Sequence, residues 1–135
     1  MKTSILDTAR EVFSSDRYAT EITGIEITEV GDHTASCRLA TDSRHRNARG
    51  VAMGGVLFTL ADFCSAVAAN SDTLDELHWV SLDSSIHFLS PATGDCLTAT
   101  TAPIKRGRTT ALFQTVVSCD GKQTAVIMTT MMHVN

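Results

Sequence analysis

Apolar and polar residues alternate through most of the second half of the chain, which is the pattern of strands with one buried face. Four segments show this alternation: Trp79 to Leu89, Asp95 to Ile104, Thr109 to Cys119 and Gln123 to Val134. Asp120-Gly121 is a strong hairpin signal, and Arg106-Gly107-Arg108 marks a second turn or bend. The short connections between these segments predict an antiparallel sheet.

The first half of the chain predicts a hairpin preceded by a short helix. Apolar residues from Thr3 to Phe13 recur at helical spacing, which predicts a short amphipathic N-terminal helix. Ile22 to Glu29 and His33 to Leu39 alternate like strands, and Gly31-Asp32 between them suits a tight turn. The segment from Thr41 to Ala52 has charges, Asn and Gly but no period, so it is predicted to be a loop.

The most apolar stretch follows this loop and predicts a central helix over about residues 54–70. Apolar side chains cover nearly its whole circumference, as in a helix that is enclosed on most sides. Thr59, Asp62 and Ser65 recur every three residues and form one narrow polar stripe. Six strands around one enclosed helix indicate a single α+β domain over residues 1–135, with an antiparallel sheet of five to six strands curled over the helix.

Asp62 is the one charged side chain between Gly50 and Ser71. Burying an unpaired carboxylate costs several kcal/mol, which is a large part of the roughly 5–15 kcal/mol by which a domain is stable. One interpretation is structural, with Thr59, Ser65 or backbone amides donating hydrogen bonds to the carboxylate. The other is functional, because perturbed carboxylates concentrate at active sites.

Composition then narrows the classes of function. The chain has 135 residues, 43% of them hydrophobic, and a formal net charge of −4, which gives no basic face for nucleic acid or an anionic membrane. Residues 53–69 are at the lower limit of length for a membrane span and have Asp62 at their centre. Asp7, Arg10 and Glu11 interrupt the first residues, so no signal peptide is expected.

The cysteine and histidine positions argue against metal and redox chemistry. Cys37, Cys64, Cys96 and Cys119 form no C-x-x-C pair, so we interpret them as reduced thiols of a cytoplasmic protein. The histidines show neither H-x-x-x-H nor H-E-x-x-H spacing, and they are His33, His45, His78, His87 and His133. No metal site and no cofactor are therefore predicted. Ser65 lacks a G-x-S-x-G elbow, which disfavours a serine hydrolase.

Two features of the central helix could act on one substrate only if two chains cooperate. Gly54 and Gly55 leave backbone N–H groups open to a ligand, or they simply allow tight packing of the helix start. Gly54 precedes Asp62 by eight residues, about 12 Å along a helix, whereas a polarising amide and an attacking carboxylate both lie about 3 Å from the reacting group. A shared reaction centre therefore requires an isologous homodimer with two equivalent sites.

The segment His45-x-Asn47-x-x-Gly50-x-x-Met53-Gly54-Gly55-x-x-x-x-Leu60-Ala61-Asp62 has the spacing of a known signature. It closely resembles the H-x-N-x-x-G-x-x-H-G-G-x-x-x-x-L-A-D pattern of hotdog-fold acyl-CoA thioesterases of the phenylacetate-degradation (PaaI-like) type. The segment from Val80 to Thr110 also resembles that family, in its F-L-x-P-A-x-x-G-D turn and its basic K-x-G-K/R-T bend. The resemblance covers about residues 20–134 and implies a hotdog fold that hydrolyses acyl-CoA to free acid and CoA as a homodimer or homotetramer.

The resemblance also implies a role for each matched residue. Asp62 would be the general base for water or the nucleophile on the thioester carbonyl, and Gly54 N–H of the partner subunit would polarise that carbonyl. Asn47 would orient the thioester or the water, and Ser81 would help to hold the water. The implied substrate-binding residues are His45, Met53 and Gly55, with Lys105, Arg106 and Arg108 near the CoA phosphates.

Each of these residues has a plainer structural explanation. Asn47 could only fix its loop, a strand serine such as Ser81 needs no role, and the three cations could only solvate a turn. Met53 stands where the family usually has His, and its thioether offers bulk but no proton. That departure keeps open a non-catalytic acyl-CoA-binding or regulatory domain. A dehydratase or hydratase would want a His on the central helix, which has none, and a purely structural partner is the remaining alternative.

Overall fold

The computed structural model describes residues 4–135, which form two α-helices and one six-stranded sheet. The helices are α1 (Ile5–Phe13) and α2 (Gly54–Ala69), with a π-helical turn at Tyr18–Thr23 and a 3₁₀ turn at Ser43–His45. The strands are β1 (Glu26–Gly31), β2 (Thr34–Ala40), β3 (Trp79–Phe88), β4 (Cys96–Arg106), β5 (Thr110–Cys119) and β6 (Lys122–His133).

All neighbouring strands are antiparallel, and their order across the sheet is β1-β2-β4-β5-β6-β3. The sheet curls over α2, and the core forms where the helix meets the inward residues of the strands. The largest of these core residues are fully buried: Leu39, Leu60, Leu97, Phe113, Ile127 and Met131. The predicted α+β architecture of strands around a central helix is confirmed, with six strands.

The predicted N-terminal helix is confirmed over its described residues, while Thr3 lies outside them. Ser4 is the N-cap, and its Oγ accepts a hydrogen bond from Asp7 N at 3.0 Å. Ala9 and Phe13 are buried, and Phe13 packs edge-to-face on Phe63 of α2 with ring centroids 5.6 Å apart. The helix therefore closes one side of the core.

The prediction of a strand from Ile22 to Glu29 is wrong over its first residues. Residues 18–23 form the π-helical turn, which Gly24 ends with a positive φ of 94°, and the strand begins at Glu26. The apolar alternation was misleading because Ile22 is 65% exposed, whereas Ile25 and Ile27 are buried. The following turn is also displaced by one residue: it lies at Asp32-His33, where His33 has a positive φ of 58°.

The remaining predicted strands are confirmed with their ends shifted by at most two residues. The segment 41–52 is confirmed as a loop, apart from the 3₁₀ turn and one bridge between Arg46 and Ala52. Within residues 4–135, no helix combines the length and the apolar character needed to cross a membrane.

The central helix is confirmed, and it is enclosed on most sides as predicted, with one side left open. The packed side of α2, which is Leu57, Leu60, Ala61, Cys64 and Ala68, is buried against the sheet. The open side, which is Gly55, Thr59, Asp62 and Ala66, keeps access to solvent: Gly55 and Asp62 are exposed, and Thr59 and Ala66 are half-buried. The predicted polar stripe is split between them: Asp62 is exposed, whereas Ser65 is buried and donates to the carbonyl oxygens of Ala61 and Asp62.

Candidate active site

The start of α2 leaves one backbone donor free. Met53 is the N-cap, and its carbonyl oxygen accepts hydrogen bonds from Val56 N at 2.9 Å and Leu57 N at 3.4 Å. Its Sδ folds back over the first turn and accepts a hydrogen bond from Gly55 N at 3.2 Å. Gly54 N–H donates to no acceptor within residues 4–135, so of the first four amides of the helix it is the one open to a ligand.

Gly54 lies against the last residue of β3. A Cβ on Gly54 would stand 2.9 Å from Cζ of Phe88, so the missing side chain lets this ring close over the helix start. The tight packing that the sequence offered as the structural explanation of Gly54 is therefore present together with the free N–H.

A cleft of about 490 Å³ opens beside Gly54. Its apolar walls are formed by Val51, Leu57, Phe88, Leu89 and Pro91. Asn47 and Arg49 stand on the loop at its rim. Such a mostly apolar cleft with a few polar groups suits a small organic ligand.

Asn47 builds the loop that leads into α2. Its Oδ1 accepts hydrogen bonds from Arg49 N at 2.9 Å and Val51 N at 3.3 Å. Its own backbone N donates to Val51 O at 2.8 Å, and Gly50 completes the bend with a positive φ of 82°. The Nδ2 group makes no hydrogen bond within the described residues, so Asn47 fixes the loop with its oxygen and keeps two N–H donors free at the cleft.

His45 is 5% exposed and anchors the same loop from the other side. Its Nδ1 accepts a hydrogen bond from Asp42 N at 3.0 Å, so Nε2 carries the proton and donates to Thr23 O at 2.8 Å. Its carbonyl oxygen accepts a hydrogen bond from Met53 N at 2.8 Å. Both ring nitrogens are thus occupied inside the chain, and a contact of His45 with substrate stays a prediction.

Asp62 stands on the open side of α2, next to the beginning of β3. Ser81 Oγ donates a long hydrogen bond of 3.4 Å to Asp62 Oδ1. Ser81 points toward the helix because its cross-strand partner, Met131, is fully buried. Sequence reasoning expected an enclosed carboxylate, and that expectation is wrong for the single chain, in which Asp62 is exposed.

The surroundings of Asp62 nonetheless raise the pKa of its carboxyl above the ordinary value. Partial burial between α2 and β3 is the largest cause, and the negative charge of Asp16 adds to it. The hydrogen bond from Ser81 favours the ionised form and acts in the opposite direction. The side chain is therefore open to solvent on one side and crowded by protein on the other, which suits a group that exchanges protons with a ligand.

Within one chain these residues form two half-sites. The donor half-site is Asn47 with Gly54, beside the apolar cleft, and the acid half-site is Asp62 with Ser81. Gly54 and Asp62 belong to the same helix, about 12 Å apart along its axis. A single chain does not bring the two half-sites to one reacting atom.

The basic residues lie at the other end of α2. Lys105 and Arg106 end β4 and Arg108 follows in the turn, and all three are exposed. Arg106 is partly engaged: its Nη2 donates to His33 Nε2 at 3.1 Å, and its Nη1 lies 3.6 Å from Asp32 Oδ1. The hydrogen bond from His33 and the charge of Arg106 lower the pKa of Asp32.

Sequence reasoning missed three contributors to this region. Arg49 follows Asn47 by two residues, inside the matched motif, and this position was a signal available from the sequence. Phe88 and Asp16 gave no such signal, because their proximity to Gly54 and Asp62 arises from the packing of distant segments.

The chain is similar to thioesterases in both sequence and structure. A family model described as the thioesterase superfamily matches residues 49–126, which include Gly54, Asp62 and Ser81. No curated protein matches the chain significantly. Among solved structures, a thioesterase of Haemophilus influenzae is 27% identical with a TM-score of 0.83, covering 99% of this chain and 93% of that chain.

Two further structures are similar. A hypothetical thioesterase of Streptococcus pneumoniae, solved with coenzyme A, is 25% identical with a TM-score of 0.79, covering 91% of this chain and 97% of that one. The PaaI protein from the phenylacetic acid degradation operon of Escherichia coli is 22% identical with a TM-score of 0.83, covering 98% of this chain and 97% of that one, and at this identity it shows the fold alone.

The resemblance to hotdog-fold thioesterases is thereby confirmed, and the likeness to the PaaI protein is one of fold. Since the family model matches more than half of the chain, the protein belongs to the thioesterase superfamily, and its general chemistry is the hydrolysis of thioesters.

Proposed function

We propose that the protein hydrolyses acyl-CoA thioesters to a free acid and CoA at a site that two copies of the chain share. The observation that carries the proposal is the separation of the two half-sites on one helix. An amide donor and a carboxylate that serve the same carbonyl have to come from different chains.

The exposed edge of the sheet supports such a pairing. Within residues 4–135, β3 is an edge strand that pairs only with β6, so its other side presents unpaired backbone groups. Four apolar residues on or just after β3 are largely exposed in the single chain: Val80 at 43%, Leu82 at 59%, Phe88 at 58% and Leu89 at 53%. A second copy that adds its own β3 in the antiparallel direction would bury them and continue the sheet.

The positions along β3 make this pairing productive. Ser81, which contacts Asp62, is the third residue of the strand, and Phe88, which contacts Gly54, is the last. A two-fold axis near the middle of β3 sets the start of one strand beside the end of the other. The acid half-site of one chain then faces the donor half-site of its partner, and the dimer has two equivalent sites.

In this arrangement the thioester carbonyl oxygen accepts a hydrogen bond from Gly54 N–H, and the free Nδ2 of Asn47 orients the thioester or the water. Asp62 of the partner subunit removes a proton from water, which attacks the carbonyl carbon. The tetrahedral intermediate then expels the CoA thiolate, which takes up a proton. Alternatively, Asp62 attacks the carbonyl carbon itself and expels the CoA thiolate, which takes up a proton; water then hydrolyses the resulting anhydride to the free acid and restores the carboxylate. The raised pKa of Asp62 strengthens it as a base in the first route.

The basic turn supports CoA as the thiol carrier. Thr110 pairs with Met132, and Met132 pairs with Val80, so the turn that ends β4 lies at the same end of the sheet as the start of β3. Paired β3 strands therefore bring this turn toward the donor half-site of the partner. Lys105, Arg106 and Arg108 would bind the phosphates at the rim of the site. One similar thioesterase, from Streptococcus pneumoniae, was solved with coenzyme A.

Two wider proposals concern the assembly of the protein and its cellular compartment. A tetramer would use the outer face of the sheet, where Val116, Val126 and Met128 are half-buried in the single chain. Cys37, Cys64, Cys96 and Cys119 are free, which suits the reducing cytoplasm.

The test is thiol release from a panel of acyl-CoA thioesters, with the wild type compared with Asp62→Asn. We expect the wild type to release thiol and Asp62→Asn to be slower by two or more orders of magnitude, about the contribution of a general base. A dimer of unchanged mass in light scattering is the control. Equal rates for the two proteins would contradict the proposal.

Complementation tests the shared site directly. Asp62→Asn and Gly54→Pro, which removes the N–H from the first position of the helix, would each be nearly inactive alone. After the two proteins are unfolded together and refolded, half of the dimers would be mixed and each would hold one intact site, giving about a quarter of wild-type activity. No recovery, despite mixed dimers in mass spectrometry, would place the whole site within one chain and contradict the proposal.

Met53 supports one alternative function. Its sulfur covers Gly55 N–H, so the helix start offers one free amide, and no histidine stands there to help. A non-catalytic acyl-CoA-binding domain would bind the thioester and leave it intact. Calorimetry that detects binding of an acyl-CoA that the wild type does not hydrolyse would favour this alternative.

A further inference from the structure

The cleft beside Gly54 is lined by one formally charged side chain, and the charge is positive. Arg49 stands at its rim, and none of the described residues that line it is acidic. The donors at this cleft include Gly54 N–H and Nδ2 of Asn47, which are free within residues 4–135. The rest of the lining is mainly apolar. The cleft thus favours a ligand with a hydrogen-bond acceptor at each end and an apolar middle.

Arg49 differs from the other arginines of the same loop in having no partner for its guanidinium among the described residues. Arg44 is held by the carboxylate of Asp42, with Nη2 and Oδ2 2.9 Å apart. Arg46 donates to Asp95 Oδ1 at 2.8 Å and to Gly50 O at 3.2 Å. Two of these three cations therefore stabilise the loop, and the third is available to a ligand.

The backbone of Arg49 is fixed even though its guanidinium is free. Its N–H donates to Asn47 Oδ1 at 2.9 Å, inside the bend that Gly50 completes. The side chain therefore starts from a defined point on the rim of the cleft that also contains Gly54. Because its backbone is fixed and its guanidinium is free, Arg49 can discriminate among ligands by their length.

We infer that Arg49 is a specificity-determining residue and that the preferred substrates are thioesters of short dicarboxylic acids. The inference rests on the proposed function, because it takes Gly54 N–H as the donor to the thioester carbonyl. With the carbonyl held there, the acyl chain runs along Leu57 and Phe88, and its terminal carboxylate reaches the guanidinium. The planar fork of arginine pairs with a carboxylate through two parallel hydrogen bonds.

A CoA phosphate is the other anion that Arg49 could bind. The pantetheine arm places the nearest phosphate many more bonds from the sulfur than a four- or five-carbon acyl chain spans. Arg49 lines the same cleft as the carbonyl donor, whereas Lys105 and Arg108 at the basic turn are exposed cations suited to the phosphates. The acyl carboxylate is therefore the occupant that we assign to Arg49.

The experiment compares acids and neutral chains of matched length. The kcat/KM values of glutaryl-CoA and pentanoyl-CoA would be measured with the wild type, Arg49→Met, Arg49→Lys and Arg38→Met. Arg38 is the matched control, because it is exposed on β2 opposite Thr98, between residues that are buried, and therefore faces outward from the sheet. Enzyme-free reactions correct for spontaneous hydrolysis. The same acyl groups on N-acetylcysteamine, which has no phosphate, form the second arm.

We expect the wild type to prefer glutaryl-CoA and Arg49→Met to lower the ratio of glutaryl to pentanoyl rates about ten- to hundredfold, the range of a charged hydrogen bond. Arg49→Lys would keep part of the preference and Arg38→Met all of it, and the effect would persist with N-acetylcysteamine thioesters. An equal loss for both CoA substrates that disappears with N-acetylcysteamine would assign Arg49 to a phosphate and overturn the inference.

The failure of this inference can be told apart from the failure of the proposed function. If the wild type hydrolyses pentanoyl-CoA in an Asp62-dependent manner but the glutaryl ratio is the same in Arg49→Met, the inference is overturned and the proposed function stands. If the wild type hydrolyses neither CoA thioester, both are overturned.

Discussion

Leu60 and Asp62 are two residues apart in α2, but Leu60 is fully buried under the sheet and Asp62 is exposed on the open side. The packed side of the helix carries the core contacts that hold the sheet in place. The open side carries the carboxylate and borders the strand edge that would receive a second copy. One apolar helix can therefore stabilise the fold with one side and leave the other side for chemistry.

The largest expected effect comes from removing the charge on the open side. Asp62→Asn should lower kcat by about a hundredfold or more, because the amide cannot accept a proton from water. The same change should not destabilise the protein. The raised pKa of Asp62 means that its ionised form disfavours the folded state, so the stability advantage of the variant should grow as pH rises through that pKa.

Chemical denaturation of both proteins at several pH values, together with the thiol-release assay, checks this prediction. A variant that is both inactive and much less stable would mean that Asp62 belongs to the structural role of the helix rather than to catalysis.

The next effect falls on the packed side. Leu60→Ala should lower the free energy of unfolding by about 2–5 kcal/mol, because it opens a cavity under the sheet. Thr59→Ala is the matched control on the open side. It removes one methyl group of a half-buried side chain and a hydroxyl that donates to Gly55 O at 2.9 Å, so its effect should stay within about 0.5 kcal/mol. Urea denaturation measures the free energy of unfolding of both variants. Equal decreases would contradict the proposed difference between the packed side and the open side.

At the start of the helix, two substitutions of Gly54 distinguish the loss of its N–H group from the effect of an added side chain. Gly54→Ala and Gly54→Pro both add a Cβ that meets the Phe88 ring, but the Pro variant alone lacks the N–H. The extended backbone of Met53, with ψ of 141°, accepts a following proline. We expect kcat of Gly54→Pro to be about 10²- to 10³-fold below that of Gly54→Ala, as for the loss of an oxyanion donor.

Steady-state kinetics of these two variants on one acyl-CoA gives the comparison. Equal kcat values would assign the role of Gly54 to packing against β3 alone.

The smallest expected effects are shifts in the pH dependence of the rate, caused by neighbours of Asp62 on the open side. Ser81→Ala removes a hydrogen bond that lowers the pKa of Asp62, whereas Asp16→Asn removes a charge that raises it. In the proposed mechanism Asp62 acts in its ionised form, so the rate should fall as pH drops through its pKa. The acid limb should therefore move to higher pH in Ser81→Ala and to lower pH in Asp16→Asn.

Asn at position 16 can still accept the hydrogen bond from Ala19 N, so the π-helical turn is preserved. The profile of kcat/KM against pH decides the prediction. Shifts in the same direction for both variants would contradict the assignment of that limb to Asp62.

Much of the fold could be predicted from the sequence because most strands have one buried face and therefore alternate regularly. The prediction fails at Ile22, which is apolar but stands three residues before Ile25, out of phase with Ile25 and Ile27, and lies on an exposed π-helical turn. Local pattern alone does not distinguish an exposed isoleucine from a buried one.

The candidate site was predictable only where it is local. Asn47, Gly54 and Asp62 lie within one motif, and their spacing already shows that one chain keeps the donor and the acid apart. The exposure of Asp62 could not be predicted, because it depends on which side of α2 the sheet leaves uncovered. Nor could the hydrogen bond from Gly55 N to Met53 Sδ, because it depends on one rotamer of a flexible side chain.

If a second copy binds at the uncovered edge of β3, as proposed, the activity of the enzyme depends on protein concentration. If catalysis needs two chains, the specific activity of a dilute sample falls once the concentration drops below the dissociation constant of the pair, although every chain remains folded. Rates would then grow with the square of the chain concentration at high dilution and linearly at higher concentration. Cellular abundance would thereby set not only how much enzyme is present but also what fraction of it is competent.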